Sequence, residues 1–100
     1  MNTVQQADWT LTEMELMSRT LKAIAHPARL AIIEMLHGGR RLTVTEIYTR
    51  LHADQSAVSH HLSIMRDNRV LDTERRGKYI YYYLRQPAFI SLMNCLGQLN

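Results

Sequence analysis

Cysteine occurs once in the 100 residues, as Cys95, so no intrachain disulfide can form and a small secreted, cross-linked scaffold is excluded. A reducing cytoplasm is the expected location. Residues Met1 to Asp8 are polar and lack the basic start and apolar stretch of a signal peptide. No apolar run approaches the ~20 residues that span a bilayer, so no membrane partner is expected. Internal repeats, low-complexity tracts and linkers are also missing, which leaves a single domain over residues 1–100, with residues 1–9 expected to be disordered or loosely held. The five histidines show no metal-binding spacing such as His-Glu-x-x-His, and no metal or cofactor is expected. Ser59 lies beside His60, but adjacent side chains on a helix diverge by about 100° and no glycine loop follows to hold an oxyanion. An enzyme is not expected.

Charge is present mainly in one region. From Arg40 to Arg85 there are nine Arg or Lys residues against five acids, a surplus of four, whereas the whole chain carries +3. The positive charge therefore surrounds the middle of the chain, where a polyanion would be met.

Helix signals are clear. Thr10-Leu11-Thr12-Glu13 has the form of a capping box, with Trp9 and Met14 as a hydrophobic staple, and Met14, Met17, Leu21 and Ile24 recur at helical steps behind it. That seam suits either the domain interior or a partner helix, and for so small a domain the partner is favoured. Pro27 ends this helix near His26 and opens a second, apolar on several sides through Leu30, Ile32, Ile33, Met35 and Leu36, which Gly38-Gly39 stops. Thr43 and Glu46 form a second capping box, stapled by Leu42 and Ile47, for a short third helix ending near Leu51.

After the His52-Ala53 connection, Asp54 can cap a fourth helix. There Val58, Leu62 and Met65 form an inward stripe, while Gln55, Ser56, Ser59, His60 and Ser63 fall on the opposite face. The outer side chains are short or planar hydrogen-bonders, which suits a helix pressed against base edges in a groove. His60 is read as a base or phosphate contact and His61, one step round, as a structural hydrogen-bonder beside the preceding helix. The span 45–65 thus has the form of a helix-turn-helix.

From Val70 to Leu84 the period changes to two around Gly77, which predicts an antiparallel hairpin, a wing over residues 70–84. Arg75, Arg76 and Lys78 at its tip are placed for phosphates or a minor groove. Tyr79, Tyr81 and Tyr83 share one face, with Ile80, Tyr82 and Leu84 on the other. This alternation favours core and wing packing for Tyr81 to Tyr83 over a stacking platform for single strands. Pro87 opens a last helix so apolar, through Phe89, Ile90, Leu92, Met93, Leu96 and Leu99, that a second subunit is expected to cover it. Met14, Met17, Leu21, Leu92, Cys95, Leu96 and Leu99 are the expected dimer contacts. Cys95 itself is read either as a buried spectator or as a thiol near its symmetry mate, able to oxidise.

The whole reads as a mainly α fold with a small β-hairpin wing, four helices before the hairpin and one after, a homodimeric winged helix-turn-helix joined through its first and last helices. Three segments in this order, Leu21-Lys22-Ala23-Ile24-Ala25-His26-Pro27-Ala28-Arg29-Leu30, Gln55-Ser56-Ala57-Val58-Ser59-His60-His61-Leu62 and Arg75-Arg76-Gly77-Lys78-Tyr79-Ile80-Tyr81-Tyr82, resemble the ArsR/SmtB family of bacterial repressors. The resemblance covers roughly residues 12 to 99. It implies a homodimer that binds a double-stranded operator with inverted half-sites, with Gln55, Ser56, Ser59 and His60 reading the groove, and that leaves when an effector binds. Where metal sensors of the family carry a cysteine pair in the third helix, Leu42 to Glu46 has none, and Pro87 to Asn100 lacks the Asp and His ligands others use. Thiol-switch members use two cysteines against one here, so the effector is not specified by the usual family sites. The alternative from another class is a winged-helix protein-interaction module without DNA binding, against which the basic surplus argues.

Overall fold

The computed structural model describes residues 8–100, so the expectation for residues 1–9 lies outside the described residues except at Asp8 and Trp9. Five helices and three strands follow in the order α1 (Leu11–Ile24), α2 (Pro27–Met35), β1 (Leu42–Thr43), α3 (Val44–Leu51), α4 (Gln55–Asp67), β2 (Leu71–Arg76), β3 (Tyr79–Leu84) and α5 (Ala88–Gln98).

Local chemistry sets the helix starts. In α1 the Glu13 N–H donates to Thr10 Oγ1 at 3.1 Å and the Thr10 N–H donates to Glu13 Oε1 at 2.8 Å, so both groups satisfy amides the first turn leaves free. The pair recurs in α3 between Thr43 and Glu46, at 3.2 and 2.9 Å. Leu42 and Ile47 beside it are both buried, as a staple requires, whereas Trp9 and Met14 at the start of α1 remain exposed. In α2, Pro27 takes the first helical position, and the cap is His26, whose Nδ1 accepts the Ala28 N–H at 3.0 Å. The chain leaves α2 through a 3-10 turn, His37–Gly39, in which Gly38 adopts φ 70, a left-handed conformation that other residues adopt only at a cost.

The expected hairpin is present, with Leu71 opposite Leu84 and Arg76 opposite Tyr79, closed by the two-residue turn Gly77-Lys78. Gly77 supplies the positive φ, 62, that such tight turns demand. The sheet has a third strand that the sequence reading did not assign. Leu42 and Thr43 pair antiparallel with Tyr82 and Tyr81, giving the order β1-β3-β2 and joining the wing to the entry of α3. Two residues are too few to show alternation, and here the strand lies directly against the Thr43 cap.

The core gathers Ile32, Ile33 and Leu36 of α2, Ile47 of α3, Val58, Leu62 and Met65 of α4, and Leu42, Val70 and Leu71 from the sheet side, all buried. Tyr82 and Leu84 close it from β3. Only the last turn of α1, Ala23 and Ile24, reaches this core. The three fully buried α4 residues fix which way that helix faces. Truncating one such leucine costs about 2–5 kcal/mol, so its rotational setting is strongly enforced.

Candidate nucleic-acid interface

The α3 and α4 helices are joined by the three residues His52, Ala53 and Asp54. His52 takes a left-handed conformation, φ 53, which reverses the chain at once, and Asp54 caps α4 by accepting the Ala57 N–H on Oδ2 at 3.1 Å. With Val58, Leu62 and Met65 turned inward, Gln55, Ser56, Ser59, His60 and Ser63 are all exposed. The five residues expected on one outer face are therefore all at the surface of one helix, and none carries a bulky apolar group that would hold it away from a groove.

His61 is half-buried and structural. Its Nδ1 accepts a hydrogen bond from Arg29 Nε at 3.0 Å, and its ring lies 4.5 Å from that of His26 between centroids. Its partners are thus at the start of α2, not on the preceding helix α3 as expected from sequence. Arg29 also donates to the Ala23 carbonyl at 3.3 Å, so one guanidinium joins α1, α2 and α4. Burial of the imidazole, then the nearby His26, Arg29 and His60, hold the His61 pKa below its ordinary value. The geometry agrees, since a ring that accepts from an arginine has no use for a second proton on that nitrogen. Neither Arg29 nor His26 was singled out as a positioning residue from sequence. The position of His26 directly before Pro27 was the one available sign of its cap.

At the wing, Arg75, Arg76 and Lys78 are all exposed around the Gly77 turn. Arg75 Nε donates across it to the Gly77 carbonyl at 3.1 Å, and Lys78 Nζ lies 5.5 Å from the centre of the Tyr79 ring. Tyr82 packs on the core while Tyr81 and Tyr83 face away from it beneath arginines, so the tyrosine run is wing packing, as alternation indicated.

The expected dimer residues divide. Met14, Met17 and Leu21 of α1 and Leu96 and Leu99 near the chain end are exposed apolar side chains, joined by Leu11 and Leu16, which the sequence reading did not include. Leu92, also among the expected contacts, is half-buried in the single chain and packs against its core with Phe89, Ile90 and Met93. Cys95 is exposed in the single chain. Among the described residues, no three His, Cys, Asp or Glu side chains gather as a metal site would need, and no helix is long and apolar enough to cross a membrane.

A short helix, a tight turn, a second helix with a small-polar outer face and a basic hairpin tip together define a winged helix-turn-helix protein of the DNA-binding class. Comparison with known proteins narrows this. Residues 26–73 match the model of the bacterial regulatory protein, arsR family. Transcriptional repressor PagR of Bacillus anthracis is 43% identical over 80 residues, 80% of each chain, and transcriptional repressor SdpR of Bacillus subtilis is 35% identical over 78 residues, 78% of this chain and 86% of that one. The crystal structure of PagR superposes with a TM-score of 0.77 over 87% of this chain and 99% of that one, at 37% identity. The chain belongs to the arsR family of bacterial regulatory proteins, a family of transcriptional regulators and not of enzymes.

Proposed function

We propose that two copies of this chain form a repressor that binds an inverted-repeat operator, each inserting α4 into a major groove while its wing grips the backbone. The observation that carries this is the two-faced α4, with Val58, Leu62 and Met65 buried and Gln55, Ser56, Ser59, His60 and Ser63 exposed between basic neighbours. In this reading the α4 residues read bases, and Arg75, Arg76 and Lys78 contact phosphates, which carry affinity but little sequence information. A two-fold pair places its recognition helices about 34 Å apart, one turn of duplex, and this spacing fixes the half-sites. The dimer forms through α1 and α5, whose exposed methionines and leucines otherwise face water. Release comes from a signal other than a metal held at the family's usual ligand positions, which lack the cysteines, aspartates and histidines required.

The test is fluorescence anisotropy with the promoter fragment of the protein's own gene and with random duplex of equal length. Ser59→Ala and His60→Ala are expected to cost about 1 kcal/mol each on the promoter and little on random DNA. Arg76→Ala is expected to weaken both alike and to make binding less steeply dependent on salt. Equal losses on both DNAs for all three variants would remove the division into readers and grippers. No binding of wild type to either would remove the reading altogether.

A further inference from the structure

The outer face of the wing carries an arrangement that the division into readers and grippers leaves unused. Strand register sets Asp72, Glu74 and Arg76 of β2 opposite Tyr83, Tyr81 and Tyr79 of β3, so these six side chains share the face turned away from the core. Arg41, just before β1, reaches the same face and lies 3.9 Å from the centre of the Tyr83 ring. Glu74 Oε1 then meets two guanidinium groups at once, Arg41 Nη1 at 3.1 Å and Arg76 Nη2 at 3.1 Å. That oxygen is itself buried and takes no well-aligned hydrogen bond from either, so the bond is one of charge. One carboxylate is shared by two cations, and the group carries a net +1.

The two arginines are not held equally. Arg41 is clamped between Tyr83 and Glu74 with its side chain 36% exposed, whereas Arg76 is 61% exposed and lies 5.8 Å from the Tyr81 ring. When a phosphate approaches, Arg76 is the cation free to leave. Its departure does not strand Glu74, because Arg41 stays.

We propose that Glu74 restrains the wing's grip on DNA, holding Arg76 at the tip and ceding it to phosphate because Arg41 remains as its counter-ion. Glu74 thus competes with DNA for Arg76, and Arg41 weakens that competition without touching DNA. This rests on the reading of Arg76 as a phosphate contact. Removing the carboxylate frees Arg76, and removing Arg41 leaves Glu74 wholly to Arg76.

The experiment measures dimeric protein on random duplex DNA at about 0.1 M salt, where an exposed pair is only partly screened. Glu74→Gln is expected to tighten binding about two- to fivefold, the range an exposed ion pair supports. Arg41→Ala is expected to weaken it by a similar factor in the wild type and to have no effect in the Glu74→Gln background. In the Arg76→Ala background, Glu74→Gln should gain nothing. Glu15→Gln, the same charge change on α1, serves as the control and should leave affinity unchanged. If Arg41→Ala weakens binding equally with and without Glu74, Arg41 touches DNA itself and the proposal is overturned. It is overturned too if Glu74→Gln fails to tighten binding, or if Glu15→Gln tightens it as much. If Arg76→Ala has no effect on binding, the underlying phosphate contact is what fails, and the two failures are told apart by that variant alone.

Discussion

Replacing Leu96 with glutamate should separate the two subunits while leaving each folded. Leu96 and Leu99 are 37% and 80% exposed, and Met14, Met17 and Leu21 on α1 are 46%, 38% and 48% exposed. Full burial of such a side chain is worth about 1.5–3 kcal/mol, so covering the roughly half that remains open yields about 1 kcal/mol each. Five of them, doubled by a two-fold axis, give about 10 kcal/mol gross. Association itself costs about 4–15 kcal/mol, so a few side chains decide the balance. Leu96→Glu removes about 2 kcal/mol of apolar burial per dimer and asks two carboxylates to lose water at several kcal/mol each. The loss exceeds about 4 kcal/mol, or roughly a thousandfold in dissociation constant. Sedimentation velocity at tens of micromolar should show wild type as dimer and the variant as monomer, with the same helical signal in circular dichroism, because Leu96 lies outside the core. Operator binding should fall with the dimer. A variant that sediments as wild type would refute the argument, and so would a folded monomeric wild type at the same concentration.

Two further outcomes follow. The lowered pKa of His61 means that, as pH falls below the ordinary imidazole value of about 6.5, the unfolded chain takes up this proton before the folded one does. Stability is therefore complete above that value and declines as pH drops through the window between it and the folded pKa. Urea midpoints from about pH 7.5 to about 5.5 should fall less steeply in His61→Gln, which keeps an acceptor for Arg29, and equal slopes would contradict the assignment. The second concerns metals. Zinc, cadmium and arsenite at low micromolar levels should leave operator binding unchanged, in wild type and in Cys95→Ser, since selective release requires three or four converging ligands. Stoichiometric release by one of them, reversed by chelator, would mean that ligands meet across the dimer.

The elements legible in the sequence were those governed by near neighbours. Thr10 with Glu13, Thr43 with Glu46, Asp54 and Pro27 each marked a helix start, because the groups a first turn must satisfy lie within three or four residues. Gly77 between alternating runs marked the hairpin for the same reason. What sequence did not show depends on distance. The Arg29 to His61 bond spans 32 residues, and Arg41 meets Glu74 only once β1 has paired with β3. Leu92 and Leu96 are both leucines one turn apart on one helix, and nothing local says that the first packs against the core of its own chain while the second is more exposed.

One of those distant contacts ties α4 to the rest of the fold. The short turn His52–Asp54 joins α3 to α4, and the buried stripe of Val58, Leu62 and Met65 sets α4 against the core. Arg29 adds a polar tie to this packing. Its Nε holds His61 in the middle of α4, its Nη1 holds the Ala23 carbonyl in the last turn of α1, and its backbone belongs to the first turn of α2. The end of α1 is thereby tied to α4, the helix proposed to enter the groove. In the proposed dimer, a shift of one α1 against its partner has a direct hydrogen-bonded path to α4 through Arg29. His60, proposed as a groove contact, is the residue next to the anchored His61. Such an arrangement suits a protein in which the separation of two recognition helices decides whether both half-sites are met at once.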